Sequence, residues 1–280
     1  MDLLIQALVL ANIAANLLGR VLLAPVAILS GTLSLTVISA ATGVALLLIF
    51  KYTSNQTAIS RVQDEIRANL LAIRLFKDSM SVTVKSQGCV LKGVFKLLFC
   101  AVVPMLVMIA PVCLILAQLG LWYQHKPLTA RGKPFVVKMS LNDTMAALPA
   151  VQLAPAPAAE IMAGPVRVPS RNEIYWKLKP LKDGRHQLHF ELDDQRFTKE
   201  VVIGEGFMRI SPTRPARRFG AVLLNPLEEP FDRESAVQSI TVFYPERESR
   251  IHGADWWLLF FFIASLIFAF LFKPFFKVRI

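Results

Sequence analysis

Three long uncharged stretches stand out along the chain, and they cover residues 31–50, 97–123 and 256–272. A helix needs about 20 apolar residues to cross a hydrocarbon core roughly 30 Å thick. The third stretch is short, but Trp256, Trp257, Phe275 and Phe276 extend it with the aromatic side chains that favour membrane interfaces. The pattern therefore predicts three transmembrane helices, over residues 31–50, 97–123 and 254–273.

The first 30 residues are apolar but carry a narrow polar stripe. On a helical wheel, six residues fall within one sector of about 140°; they are Asp2, Gln6, Asn12, Asn16, Gly19 and Arg20. Such a stripe is typical of a helix lying in the membrane interface, and it also suits a span that faces protein. We favour an amphipathic or re-entrant helix over residues 1–30. A signal peptide is not expected, because a basic start and a small-residue cleavage site are missing.

A helical hairpin is predicted between the first two spans, over residues 51–96. Its first half has no Gly or Pro, and its apolar residues step alternately by three and four, which is a heptad seam with one polar member. The seam consists of Ile59, Val62, Ile66, Asn69 and Ile73. Residues 77–79 look like the tip, with Asp78 or Ser79 as the N-cap of a second helix that starts near Ser81.

Charge sets the expected orientation of these segments. The chain has 31 Lys+Arg against 20 Asp+Glu, a formal charge of +11. The hairpin holds eight basic and three acidic residues, and the tail at 274–280 is basic too. Short basic segments stay in the cytoplasm, which places residues 124–253 outside. Because 54% of the residues are hydrophobic, a basic DNA-binding protein is not expected.

Residues 124–253 read as an all-β domain. Alternating or β-branched runs predict strands at 134–141, 172–178, 187–192, 196–203 and 239–244. Residues 182–185 look like a hairpin turn, and the Ala- and Pro-rich stretch at 148–159 looks like a loop or linker. The spacing predicts a small β-sandwich of the immunoglobulin type.

Catalytic chemistry is not expected in this chain. The usual hydrolase, zinc-protease and phosphate-loop motifs do not occur. His186 and His189 are three residues apart on a strand, so they should point to opposite faces and not share a metal. We predict neither an enzyme nor a metal or cofactor site. Arg214, Arg217 and Arg218 could meet lipid headgroups or an acidic partner, although a solvated loop is the plainer interpretation.

The order of spans and hairpin resembles the YidC/Oxa/Alb insertase superfamily. The local motifs are K-Y-T-S-N-Q-x-x-I at 51–59, R-L-F-K-D at 74–78, and a span with Pro104 and Pro111. The chain looks closest to the compact three-span branch, which includes archaeal YidC-like proteins and the insertase subunit of the endoplasmic-reticulum membrane complex. The resemblance implies a groove open to cytosol and lipid, nascent membrane proteins as clients, and a ribosome or translocon meeting the hairpin.

A groove needs polar side chains at membrane depth, because unsatisfied backbone groups are costly in lipid. The candidates are Thr32, Thr36, Ser39, Thr42, Arg20 and Gln118. The hydroxyls could equally serve helix packing, and Arg20 could reach the headgroups instead. Members of the superfamily commonly carry a basic residue on the first core span, and residues 31–50 carry none.

The sequence therefore predicts a helical membrane bundle with an inserted β-sandwich, placed in a bacterial inner membrane. The hairpin and C-terminus are expected in the cytoplasm and the β-domain in the periplasm. The first functional expectation is an insertase or membrane chaperone that also meets anionic lipid. The second is an adaptor whose β-domain binds an extracytoplasmic protein partner.

Overall fold

A computed structural model describes residues 2–23, 31–76, 79–142, 149–192, 195–247, 256–276 and 278. The chain divides into two compact units. The first unit combines Met1–Ser34 with Cys113–Trp257, and the second combines Leu35–Val112 with Leu258–Ile280.

The first unit is built around eight strands in two antiparallel sheets. The strands are β1 (Phe135–Leu141), β2 (Val151–Leu153), β3 (Ala159–Val168), β4 (Glu173–Pro180), β5 (Gly184–Leu192), β6 (Gln195–Ile203), β7 (Thr213–Arg214) and β8 (Val237–Val242). One sheet has the order β3-β4-β1-β8-β7 and the other has the order β2-β5-β6. Five of the strands, β1, β4, β5, β6 and β8, overlap those predicted from sequence.

The two sheets share one apolar core. Along β1 every second side chain is buried, as the alternation in its sequence predicts. Trp176 on β4 meets Phe190 on β5 edge to face, with ring centroids 5.2 Å apart. Because these strands belong to different sheets, the contact shows a β-sandwich whose inner faces pack together.

One charged side chain is fully buried in this unit. The Lys199 ammonium donates to the backbone carbonyls of Ser211 at 2.8 Å and Glu200 at 3.1 Å, and to the Glu228 carboxylate. Burial lowers the pKa of Lys199, and the Glu228 carboxylate opposes that shift. Three acceptors match the three donors of the ammonium, which is what makes a buried charge tolerable.

Two predictions for the β-domain are wrong. Residues 182–185 do not form a hairpin turn, because β4 and β5 lie in different sheets and the turn crosses between them. The supposed loop at 148–159 contains β2, which pairs with β5, and the first residue of β3. β3 escaped the sequence pattern because it is an exposed edge strand with two register shifts and Pro165, a residue that edge strands tolerate.

The first unit also contains two packed helices and the ends of longer ones. α1 spans Asp2–Leu22 and packs on the short α5, Phe219–Leu224. The Ser34 and Tyr123 hydroxyls are 2.6 Å apart, and the Tyr123 ring meets Phe207 edge to face. Ile210 donates its backbone N–H to the Leu121 carbonyl at 2.9 Å. The chain at Ser34 and the chain at residues 121–123 are therefore fixed to the sandwich.

The remaining helices are α2 (Gly31–Thr53), α3 (Gln56–Leu75), α4 (Met80–Tyr123) and α6 (Trp256–Phe276). α4 has 44 residues and so is about 66 Å long, which is twice what a membrane core requires. Its first part packs against α3, because a Cβ on Gly93 would lie 2.6 Å from the Ile66 side chain. Asn55 caps α3 by accepting the Ala58 N–H at 3.0 Å, and the proposed Asp78 cap lies outside the described residues.

Four of the described helices, α1, α2, α4 and α6, are long and apolar enough to cross a membrane, which is consistent with a membrane protein. The predicted combination of membrane helices and a separate all-β domain is confirmed at that level. By length and apolar composition, α1 is also a candidate membrane span, in addition to the three that were predicted. The interfacial interpretation of α1 stays a prediction.

Candidate functional site

The middle of the polar stripe of α1, at Asn12, Asn16 and Gly19, faces protein within the first unit. Asn12 is buried, and its amide donates to the Val222 carbonyl at 3.0 Å. The Asn16 amide donates to the Pro226 carbonyl at 2.7 Å. Carbonyls at a helix C-terminus have no partner within the helix, so these amides satisfy groups at and just beyond the end of α5. The stripe is therefore a docking surface for the β-domain.

Three side chains from distant parts of the chain form a buried polar cluster, which consists of Asn16, Gln118 and Arg209. Nη2 of Arg209 donates to Asn16 Oδ1 and to Gln118 Oε1, both at 2.8 Å. The Gln118 amide donates to Asn16 Oδ1 at 2.9 Å. Arg209 is only 6% exposed. The cluster thus joins α1, the end of α4 and the loop after β6 through one guanidinium.

Gly19 makes room for this cluster. A Cβ at this position would lie 3.0 Å from Gln118 Oε1, which is closer than a normal contact. The glycine comes one turn after Asn16 on the same face of α1. A larger residue would push Gln118 away from the two groups to which it is bonded.

The positive charge of the Arg209 guanidinium is hydrogen-bonded to the neutral side-chain amides of Asn16 and Gln118. Among the described residues, no carboxylate is hydrogen-bonded to Arg209. Burial lowers the pKa of Arg209 to about 10, and the positive charges of Arg185 and Arg20 act in the same direction. Arg185 itself pairs with Glu200 at 2.8 Å. Arg209 is still protonated at neutral pH, so the cluster carries one buried positive charge.

The structure separates the predicted groove residues. Ser39 and Thr42 are buried, at 0% and 6% exposure, and the Ser39 hydroxyl donates to the Leu35 carbonyl one turn earlier. Thr36 is half-buried and Thr32 is exposed. Arg20 is exposed as well. Gln118 belongs to the polar cluster instead of lining an open surface.

Within the second unit, α2 and α6 approach each other at small residues. A Cβ on Gly43 would overlap the carbonyl oxygen of Ser265. Ser265 is itself buried, and its hydroxyl bonds to the Phe262 carbonyl at 3.0 Å. Small residues that allow two backbones to touch are typical of helix packing in membranes.

The hairpin of α3 and α4 is packed along its predicted seam near the base. Ile59 and Val62 are buried, while Ile66, Asn69 and Ile73 are half-buried. Gly93 on α4 lies against Ile66, since a Cβ there would be 2.6 Å from that side chain. The Asn69 amide bonds to the Glu65 carbonyl on its own helix at 2.8 Å and not across the seam.

The free end of the hairpin exposes large apolar side chains. They are Leu70, Leu71, Leu75, Phe76, Met80 and Val84. Exposed basic residues accompany them, among them Arg67, Arg74 and Lys85. The end of the hairpin therefore has a surface that is both apolar and positively charged.

Sequence reasoning missed Arg209, because it lies in a loop without a motif. The signal that could have found it was the stripe of α1, since Asn12 and Asn16 require buried partners if the stripe faces protein. Among the described residues, no group of three His, Cys, Asp or Glu is arranged to hold a metal. Comparisons with protein-family models, with curated proteins and with solved structures return no match.

Proposed function

We propose that this protein is a YidC/Oxa-like membrane insertase or membrane chaperone, with a hairpin that meets client segments in the cytoplasm. The observation that carries the proposal is the hairpin itself. A connector between two spans needs neither a packed seam with Gly93 against Ile66 nor an apolar, basic free end. The basic residues on the hairpin and on the tail favour a cytoplasmic position for both.

The proposed mechanism lowers the cost of moving polar client segments through lipid. Of the four predicted groove hydroxyls on α2, those of Thr32 and Thr36 belong to residues with accessible surface. Ser39 and Thr42 are buried, so they would reach a client only after α2 and α6 separate at Gly43 and Ser265. The groove is accordingly proposed to be closed at rest and to be opened by its client.

Site-specific photocrosslinking during translation of a membrane protein tests this function. The reactive group is placed at Thr36 in one variant and at the neighbouring, exposed Val37 in a matched control. We expect Thr36 to capture the nascent chain and Val37 to capture lipid. Capture of lipid alone from both positions would contradict the proposal.

An adaptor function is the second candidate, and the strand order of the β-domain favours it. In immunoglobulin-like sandwiches one sheet has the order A-B-E-D and the other has C-F-G. Strands β1 to β6 correspond to B to G in this arrangement, and β8 lies beside β1 in the place of strand A. We therefore propose an immunoglobulin-like sandwich whose first strand is supplied by the end of the domain. Such domains commonly bind proteins at cell surfaces.

The exposed edge strand β3 is the surface for testing the adaptor function, because Ile161, Met162 and Val166 expose apolar side chains there. Deletion of the whole domain would be a poor test, since it would leave Asn16 and Gln118 without Arg209. A triple change to Ser at Ile161, Met162 and Val166 leaves the core intact. Loss of function in this variant, with nascent-chain capture at Thr36 unchanged, would favour the adaptor over the insertase.

A further inference from the structure

A basic cleft lies within the first unit, between the start of α1 and the segment 216–238. Its volume is about 390 Å³, which suits a small ligand or a lipid headgroup. The described residues that line it include three arginines, Arg217, Arg218 and Arg233, and one acid, Asp232. Ile5 of α1 and Phe219 of α5 supply apolar walls.

The described lining of the basic cleft is rich in arginine. Among the described residues, three arginines and one acid line it, and the Asp232 carboxylate lies 3.8 Å from Arg217 with its side chain 92% exposed. Arg214 belongs to a different arrangement, because it stacks on Phe231 and donates to the Thr198 and Glu229 carbonyls. The excess positive charge at Arg217 and Arg218 therefore favours an anionic ligand.

The surroundings of the cleft indicate that this ligand is amphipathic. Outside its polar stripe, α1 exposes Leu3, Leu4, Leu10 and Leu17, and α1 is apolar enough to cross a membrane. Phe219 at the cleft is half exposed, and Leu224 exposes most of its surface on the same short helix. Exposed leucines next to an arginine cluster are the arrangement by which helices bind at a charged lipid surface.

We infer that the basic cleft binds the phosphate headgroup of an anionic phospholipid, whose acyl chains lie along the exposed leucines of α1. Arg217 and Arg218 hold the phosphate, and Asp232 limits the affinity. The polar stripe keeps α1 on the sandwich, so the lipid is held between the membrane surface and the β-domain. The inference needs only a membrane-embedded chain and does not depend on insertase or adaptor activity.

Lipid retention by the full-length chain tests this inference. The protein is reconstituted in nanodiscs of equal parts phosphatidylglycerol and phosphatidylcholine, and lipids that remain bound after release are counted by native mass spectrometry. The double variant Arg217→Gln/Arg218→Gln is compared with Arg167→Gln/Arg171→Gln, which removes two exposed arginines elsewhere on the domain. A third variant, Asp232→Asn, removes the acid from the cleft.

We expect the unmodified chain to retain phosphatidylglycerol in preference to phosphatidylcholine. The cleft double variant should lower that preference by about thirtyfold, because each of the two basic residues near a lipid surface contributes of the order of 1 kcal/mol. The Arg167 and Arg171 variant should keep the preference, and Asp232→Asn should increase it. Inorganic phosphate and soluble glycerophosphoglycerol at millimolar concentration should not displace the lipid.

Three results would overturn the inference. Equal retention of the two lipids is one, and an equal loss in the Arg167 and Arg171 control is another. Full displacement by inorganic phosphate is the third, since it would mean that the cleft recognises phosphate without lipid. If the cleft double variant loses protease resistance in the β-sandwich, the test rests on Asp232→Asn. An unchanged lipid preference in Asp232→Asn would then reject the inference.

Discussion

The two units place their large apolar side chains in opposite ways. In the β-sandwich, Trp176 and Phe190 are buried and polar residues alternate with them toward solvent. In the second unit, α4 and α6 expose most of their Phe, Leu and Val side chains, and Phe99 is 76% exposed. Small and polar residues such as Ser39, Gly43 and Ser265 are buried there, beside a few large apolar ones such as Leu35 and Phe261.

This difference reflects two solvents. Water drives apolar side chains into the sandwich core, whereas lipid tails are as apolar as leucine and exert no such force between helices. Helices in lipid associate where small residues allow close packing and where polar groups find partners. Exposed leucines and phenylalanines on the long apolar helices of the second unit therefore suit a lipid environment, and the same exposure in the sandwich would be destabilising.

The largest expected effect comes from truncating a core aromatic. Phe190→Ala should lower the free energy of unfolding of the β-sandwich by about 3–5 kcal/mol, because it removes the edge contact with Trp176 and leaves a cavity. Hydrogen exchange of β5 and β6 in the full chain measures the change. Phe99→Ala on α4 is the matched control and should leave exchange in its own unit almost unchanged. Equal losses in the two variants would mean that the two units do not differ in this way.

An intermediate effect is expected at the polar cluster. Arg209→Met should weaken the docking of α1 by about 2–3 kcal/mol, since Asn16 Oδ1 loses a charged donor and Gln118 Oε1 loses the same one. Faster hydrogen exchange in α1, with β5 still protected, would show this loss. Arg196→Met is the control, because Arg196 is exposed and pairs only with Glu191 at the surface. Unchanged exchange in α1 would show that α1 docks through its apolar contacts alone.

Smaller changes in stability, of opposite sign, are expected when two helical glycines are replaced. Gly43→Ala should cost roughly 1–3 kcal/mol, because the added Cβ overlaps the Ser265 carbonyl and forces α2 and α6 apart. Gly88→Ala should stabilise α4 by up to about 1 kcal/mol, since no packing neighbour among the described residues lies within 4 Å of its Cβ position. Thermal unfolding in detergent measures both. A stabilising Gly43→Ala would argue against close packing of α2 and α6.

The local pattern of apolar and polar residues predicted an element correctly where the whole element lies in one kind of environment. The uncharged runs became α2, α4 and α6, and strict alternation became β1. The guide failed at β3, where both faces are exposed and Pro165 interrupts the strand, and at 182–185, where the local turn residues say nothing about which sheet the next strand joins. Sheet membership depends on pairing between residues that are distant along the chain.

For the candidate sites, too, some features follow from the local sequence and others from the tertiary structure. The amino-acid sequence alone determined that α1 has a polar stripe, that the hairpin is basic, and that the chain contains long apolar helices, because these properties follow from residue spacing and charge. Only the tertiary structure decided that Asn16 and Gln118 meet Arg209, and that Arg217 and Arg218 share a cleft with α1. Those groups are 91 to 193 residues apart or lie on separate elements, so folding alone brings their charges and amides within bonding distance.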